Sequence, residues 1–471
     1  MGVGVSNWRL ARAVAGCGGL GVVSGTGLDV LFVRRLQDGD RDGSLRRAMA
    51  TFPVPDFAAE VLERFLRPEG RRPGAPYKAI ARYEQAVTRW RQQLTVLANY
   101  VEVWLAREGH RGPIGINLLS KIPLPNLASL YGAMLAGVDY VLMGAGIPRD
   151  VPRALDELAA RRPASLRVEV EGASASAPER VSLDPEVIGA HPARPLTRPR
   201  FLAIVASTSL ATLMARKAEG RVDGLVIEGP TAGGHNAPPR TASRPGAGDE
   251  PVWGERDKVD LDKVAGLGLP FWLAGGFGTP LGLASAAAAG ATGVQVGTLF
   301  AYCRESGLSE ELKREVLARA ARGELEVRTD PDASPTGFPF KVVDLPGTLS
   351  EEPRYAARRR VCDLGYLRTI FRTDEGLDYR CPAEPVEAYV AKGGERARAE
   401  GSKCLCNALL AASGHGQLRP GGEREAPLLT SGEQLRELDR FLAGRTGYSA
   451  AEVVDYLLGP GRTSGQGAGP R

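Results

Sequence analysis

Long apolar runs are missing from this chain of 471 residues. No stretch approaches the roughly 20 apolar residues that a helix needs to cross a bilayer, so a membrane partner is not expected. The N-terminus lacks a basic segment followed by an apolar one, which argues against a secretory signal and predicts a cytoplasmic location. Cysteine is scarce at six residues, too few for a disulfide scaffold, and a reducing compartment follows. Histidine is scarcer still at four, which makes the position of each one informative. Lysine is rare beside arginine, and no compact basic block interleaved with aromatics occurs, so nucleic acid is not an expected partner. The net charge of +5 is spread thinly, and Arg71-Arg72 and Arg358-Arg359-Arg360 read as solvated helix faces. What remains is ordinary globular material, 43% hydrophobic and 24% charged, enough for one large barrel with additions or for two domains.

Short β-branched runs alternate with Ala- and Leu-rich helical stretches, the pattern of parallel strands joined by helices. The expected strands are Gly21 to Ser24, Ile114 to Asn117, Tyr140 to Met143, Phe201 to Val205, Leu225 to Ile227, Phe271 to Ala274 and Gly293 to Val296. Their nearly continuous apolar character fits strands buried on both faces. Helices are expected at 8–15, 125–136, 150–161, 208–219 and 280–289. Seven strands stand where a closed (β/α)8 TIM barrel has eight. The pattern predicts that the first strand is lost, through truncation or a misplaced start, unless residues 2–5 form a very short one. The barrel is expected over 1–325, with a helical insertion at about 29–111, including a long helix from Ile80 to Trp104. A second insertion at about 164–198 reads as a hairpin, Leu166 to Val170 against Arg180 to Leu183, followed by a Pro-rich connector. Residues 326–458 are expected to be a helical and loop region that acts as a lid, and 459–471 a disordered tail.

In such barrels the chemistry sits at the C-terminal ends of the strands, with phosphates often held after the last two. There the chain reads Gly275-Gly276-Phe277-Gly278-Thr279-Pro280, and one helix later Gln295-Val296-Gly297-Thr298. Glycines let backbone N–H groups approach a phosphate closely, and two such loops in succession point to a phosphate site. The preceding strand runs into Glu228-Gly229-Pro230-Thr231-Ala232-Gly233-Gly234-His235-Asn236. Gly233 and Gly234 let the chain turn across the barrel mouth, which makes His235 the candidate acid or base. His110, His191 and His415 lack that context and read as structural or solvent-exposed. Asn117 and Ser207 each close an apolar strand with a polar residue and are candidates for hydrogen bonds to a bound ring. For Ser207, a helix N-cap is an equal alternative.

Taken together, Ala-Gly-Gly-His, Leu-Ala-Gly-Gly-Phe-Gly and Gly-Val-Gln-Val-Gly-Thr resemble the nitronate monooxygenase family, formerly 2-nitropropane dioxygenase, and the related flavin-type enoyl-acyl-carrier-protein reductases. The likeness covers residues 2–28 and about 112–320. It implies a TIM barrel carrying non-covalent FMN, with the phosphate held by Gly275, Gly276, Gly278, Gly297 and Thr298. It also implies that Gln295, Asn117 and the Gly233-Gly234 turn lie beside the cofactor, and that His235 faces the substrate. The implied reaction is oxidation of an alkyl nitronate with O2 to a carbonyl compound and nitrite. The sequence departs from that pattern in two places. Val205-Ala206-Ser207 stands where nitronate oxidisers often have lysine and where the reductases have Val-Ala-Ser. Asn236 follows the histidine in place of the usual residues. The alternative reaction is therefore NAD(P)H-dependent reduction of an enoyl thioester; an inactive barrel serving as a binding protein is a reading of another class.

Cys362, Cys381, Cys404 and Cys406 lie in the C-terminal region. Structural zinc prefers a gap of two to four residues between paired cysteines, and Cys404-Leu405-Cys406 has one, so no metal site is expected and free thiols are. Phe338 to Lys341 and Asp363 to Tyr366 are expected to cover the barrel mouth.

Overall fold

The computed structural model describes residues 2–173, 178–190, 195–240 and 249–459. Its centre is a curled sheet of seven parallel strands: Gly21–Ser24, Ile114–Leu119, Tyr140–Gly144, Arg200–Val205, Gly224–Glu228, Phe271–Ala274 and Gly293–Gln295. Each strand pairs with its successor in the chain, as in Val23↔Ile116, Ile116↔Val141, Val141↔Phe201, Ala203↔Leu225, Ile227↔Leu273 and Leu273↔Val294. The (β/α)-barrel architecture read from the sequence is borne out. Side chains alternate along each strand as the pleat requires. Val141, Met143, Phe201, Ala203, Leu225 and Ile227 face the helical layer. Leu142, Leu202 and Val226 face inward and pack with Ala274 in the barrel interior.

Among the described residues the first and last strands do not pair with each other, so the sheet stays open at that seam. Residues 2–5 form a turn, not a strand, because Gly4 takes a left-handed φ of 71° and Val5 N–H bonds back to Gly2 O at 3.2 Å. The turn lies along the edge of the first strand: Ser24 N–H donates to Ser6 O at 2.8 Å, and Ser6 Oγ donates to Val22 O. Gly307 N–H donates to Val5 O at 2.8 Å, and a Cβ there would sit 1.8 Å from Gly4 O. Only glycine permits that approach.

The insertions differ from expectation in register more than in kind. The long helix is Arg89–Arg107, not Ile80 to Trp104, because Thr88 caps it by accepting from Arg91 N–H. The residues before it are irregular. In the second insertion Ala164–Arg167 pairs with Arg180–Leu183, while Val170–Glu171 joins the hairpin Thr369–Thr373/Gly376–Arg380 as a third strand. That edge would otherwise leave backbone groups unpaired. The C-terminal region holds more strand than expected, with a second hairpin from Glu326–Asp330 to Phe340–Asp344. His191, part of the Pro-rich connector, and residues 460–471 of the expected tail lie outside the described residues. Among the described residues no helix is long and apolar enough to cross a membrane.

Candidate active site

The strands deliver their C-terminal residues to one cavity of about 250 Å³. Asn117 enters from the second strand, buried at 5% exposure, its Nδ2 donating weakly to Leu142 O at 3.4 Å. Glu228 ends the fifth strand beside Ala274 in register. The Gly-Gly-His loop and both glycine loops follow, and all of these residues line the cavity.

Backbone conformation explains the first glycine loop. Gly275 and Gly276 hold φ of 88° and 79°, a region costly for other residues. A Cβ on Gly275 would meet Thr231 Oγ1 at 2.9 Å and one on Gly276 the same oxygen at 3.6 Å, whereas beside Gly297 the space is open. Gly276 makes no hydrogen bond among the described residues, so its N–H is free to donate one. A strap from the C-terminal region ties the loops together. Gly234 N–H donates to Thr430 Oγ1 at 2.8 Å, Gly432 N–H to Thr298 Oγ1 at 3.2 Å, and Gln434 Nε2 to Gly278 O at 2.7 Å.

His235 sits on this strap-held loop, which bonds to the 338–341 segment through Asn236 N–H to Pro339 O and Lys341 N–H to Gly234 O, both 2.9 Å. Asn236 turns its amide inward, Nδ2 to Ala232 O at 3.1 Å, closing its own loop. The imidazole packs edge-on against Phe340 at 4.9 Å and Phe338 at 6.5 Å, and its Nε2 shares a 2.7 Å hydrogen bond with Ser334 Oγ. Burial pushes its pKa down to about 4, so the ring is neutral near pH 7. Burial acts the other way on Glu228, whose carboxyl is pushed up to about 7. Glu228 has no side-chain hydrogen-bond or ion-pair partner among the described residues.

Of the sequence candidates, Asn117, Gly233, Gly234, His235, Gly275, Gly276, Gly278, Gln295, Gly297 and Thr298 meet at this cavity. Ser207 does not line it. Its Oγ accepts from Leu210 N–H at 3.1 Å and bonds Ser209 Oγ, the helix N-cap that was the alternative. Glu228 was missed as a candidate although it, like Asn117, is a polar residue closing an apolar strand. Ser334 carried no local signal, since it lies 99 positions from His235. Phe340 and Tyr366 line the cavity, and Tyr366 is held from behind by a hydrogen bond to the buried Asp29, itself paired with Arg91 at 2.7 Å.

Residues 162–333 match the family model described as nitronate monooxygenase. The matched span is narrower than the motifs implied, yet it holds the Gly-Gly-His loop and both glycine loops. Two curated relatives share the name (3aS,4S,5R,7aS)-5-hydroxy-7a-methyl-1-oxo-octahydro-1H-indene-4-carboxyl-CoA dehydrogenase. The one from Mycobacterium tuberculosis is 34% identical over 28% of this chain and 34% of its own. The one from Rhodococcus jostii is 32% identical over 25% of this chain and 29% of its own. The chain thus spans about a third of the length of these relatives. Similar solved structures include FabK from Thermotoga maritima, with TM-score 0.47 and 17% identity, covering 96% of this chain and 88% of that one. Another is a nitroalkane oxidase from Streptomyces ansochromogenes, with TM-score 0.47 and 15% identity, covering 97% and 92%.

Proposed function

We propose that the protein is an FMN-dependent reductase of apolar enoyl thioesters, drawing its electrons from NAD(P)H. One observation carries the choice of substrate: no lysine or arginine among the described residues lines the cavity. Among the described residues Glu228 is its only acidic lining residue, and His235 is held neutral. An anionic nitronate would give up its hydration with no lysine or arginine side chain among the described lining residues to receive it, which is costly. A neutral acyl chain instead meets Leu119, Ile122, Ile204, Phe340, Leu405 and Leu428. The carboxyl-CoA substrate in the curated relatives' name agrees with a thioester.

The residues present fit the cofactor. The open space beside Gly297, with Gly276 across it meeting only Thr231 Oγ1 at 3.6 Å, is a cradle that a Cβ would fill and a phosphate can use. Gly275, Gly276, Gly278, Gly297 and Thr298 would hold the phosphate, with Asn117, Gln295 and the Gly233-Gly234 backbone beside the ring. When bound, the flavin supplies reversible hydride transfer. His235, neutral and oriented by Ser334, hydrogen-bonds the thioester carbonyl and polarises it. Glu228, about half protonated at pH 7, delivers a proton to the α-carbon. The apolar walls exclude water from both steps.

Nitronate oxidation with O2 is the second reading, favoured by the family match over residues 162–333. Anaerobic mixing separates the two. Bleaching of the flavin by NADPH, with colour restored by an enoyl thioester, is the expected result. Bleaching by an alkyl nitronate without pyridine nucleotide would replace it with the second reading. A purified protein that takes up no FMN would turn both toward a binding role.

A further inference from the structure

Four of the six cysteines meet behind the main cavity. Cys362 lies in the loop after the helix Glu352–Ala357, Cys381 follows the strand Gly376–Arg380, and Cys404 and Cys406 flank the start of the helix Leu405–Ala412. All four are free thiols lining one small cavity of their own. Leu367, Leu405 and Cys406 line this cavity and the main one, so a single layer of side chains separates the two. Among the described residues no group of three or more His, Cys, Asp or Glu is arranged to hold a metal ion, so convergence alone does not make these thiols a cage.

Their environments divide them. Cys404 is buried and its Sγ accepts from Asn407 Nδ2 at 3.4 Å. Burial pushes the Cys406 thiol well up. Cys362 packs against the cluster that holds Cys381 and Cys404, close enough for a thiol–thiol hydrogen bond to shift Cys362 and Cys381. That bond holds Cys362 below the usual thiol range against burial, helped by the Arg368 and Arg82 guanidiniums. The same bond, with burial, pushes Cys381 well up. Arg82 also donates to Cys362 O at 3.3 Å, so the cation is fixed there. Cys362 is partly exposed while Cys381 is 5% exposed. A reachable, thiolate-prone sulfur against a buried protonated one is the arrangement of attacking and resolving thiols.

We propose that Cys362 and Cys381 form a redox-active dithiol that hydrogen peroxide oxidises to a disulfide. Cys362 sulfur attacks one peroxide oxygen, the O–O bond breaks, and water leaves with the thiol proton, giving a sulfenic acid. Cys381 sulfur then attacks Cys362 sulfur, the S–O bond breaks, and a second water leaves with the Cys381 proton. Two thiols lose two electrons, and one peroxide is reduced to two waters. The bond ties the segment carrying Tyr366 and Leu367, both lining the main cavity, to the end of the strand Gly376–Arg380.

The test uses the full chain as purified and does not depend on the reaction at the flavin site. Thiols are titrated in denaturant before and after one equivalent of peroxide, and the oxidised chain is mapped by mass spectrometry. The expected result is a fall from six free thiols to four, a Cys362–Cys381 linked peptide, and recovery of six with dithiothreitol. Cys404→Ser should still form the bond, and Cys362→Ser should not. Six thiols surviving peroxide, or a linkage between Cys404 and Cys406, would overturn the proposal. So would stoichiometric zinc or iron in the purified protein, which would make the four sulfurs ligands.

Discussion

The same burial acts in opposite directions on His235 and Glu228, lowering one pKa to about 4 and raising the other to about 7. The ring is therefore neutral at pH 7 and able to hydrogen-bond, while the carboxyl is about half protonated there and can donate a proton. If Glu228 donates in its protonated form, kcat/KM falls as pH rises through about 7, and Glu228→Gln removes that limb from the pH profile. A limb unmoved by the substitution would exclude the carboxyl as its source. His235→Ala should lower turnover by about 10²- to 10⁴-fold, the range for a positioned acid–base group, while flavin content by absorbance stays unchanged. Ser334→Ala, which removes the 2.7 Å partner of the ring along with the serine's own bonds to Thr336, should lower turnover by less. The depressed His235 pKa also links folding to acidity. An unfolded histidine takes up a proton below about 6.5 and the folded one does not until about 4, so this contribution to stability is present above pH 6.5 and is lost between those values. Denaturation midpoints of wild type and His235→Ala across that window measure it; equal pH slopes would refute the linkage.

Between elements, one long-range connection joins the first insertion to the cavity wall. Asp29, on the helix Leu28–Gln37, is 2% exposed and pairs with Arg91 on Arg89–Arg107 while accepting from Tyr366. Burial opposes its ionisation, but Arg91 and the hydrogen bonds from Tyr366, Arg91 and Val30 N–H override it and hold the carboxyl below its ordinary range. Asp29→Asn strands the Arg91 charge and should cost about 3–5 kcal/mol of stability in denaturant unfolding, as broken buried pairs do. The wild-type contribution is present above the ordinary carboxylate pKa and is lost as pH falls through the lower folded one. Few of these connections could be read locally. Thr88 set the true start of the long helix by capping it, and Val170–Glu171 left its expected hairpin because a sheet edge elsewhere had open hydrogen bonds.

At the scale of the whole molecule, the C-terminal region completes the site. Residues 430–434 stitch the Gly-Gly-His loop to both glycine loops, and the 334–341 segment holds the histidine ring. Bound FMN should therefore slow limited proteolysis of residues 326–458 as well as of the barrel loops. Cleavage in that region at the same rate with and without FMN would show that it does not close over the cofactor.

The sequence by itself determined the seven strands, their order and the loops at their ends. Strand burial, helix caps and left-handed glycines are local properties, written in short runs such as Phe271 to Ala274 and Gly275-Gly276. His235 and the glycines were legible for that reason, and Asn117 with them. Ser207 shows the limit, because a polar residue at a strand end serves a helix cap as readily as a cavity. Tertiary structure alone decided what surrounds those residues: Ser334 against His235, Tyr366 against Asp29, and the absence of a cationic side chain from the described cavity lining. It also decided that four cysteines scattered over the C-terminal region share one small cavity. These are contacts between segments far apart in the chain, set by how the layers pack, and no local pattern encodes them.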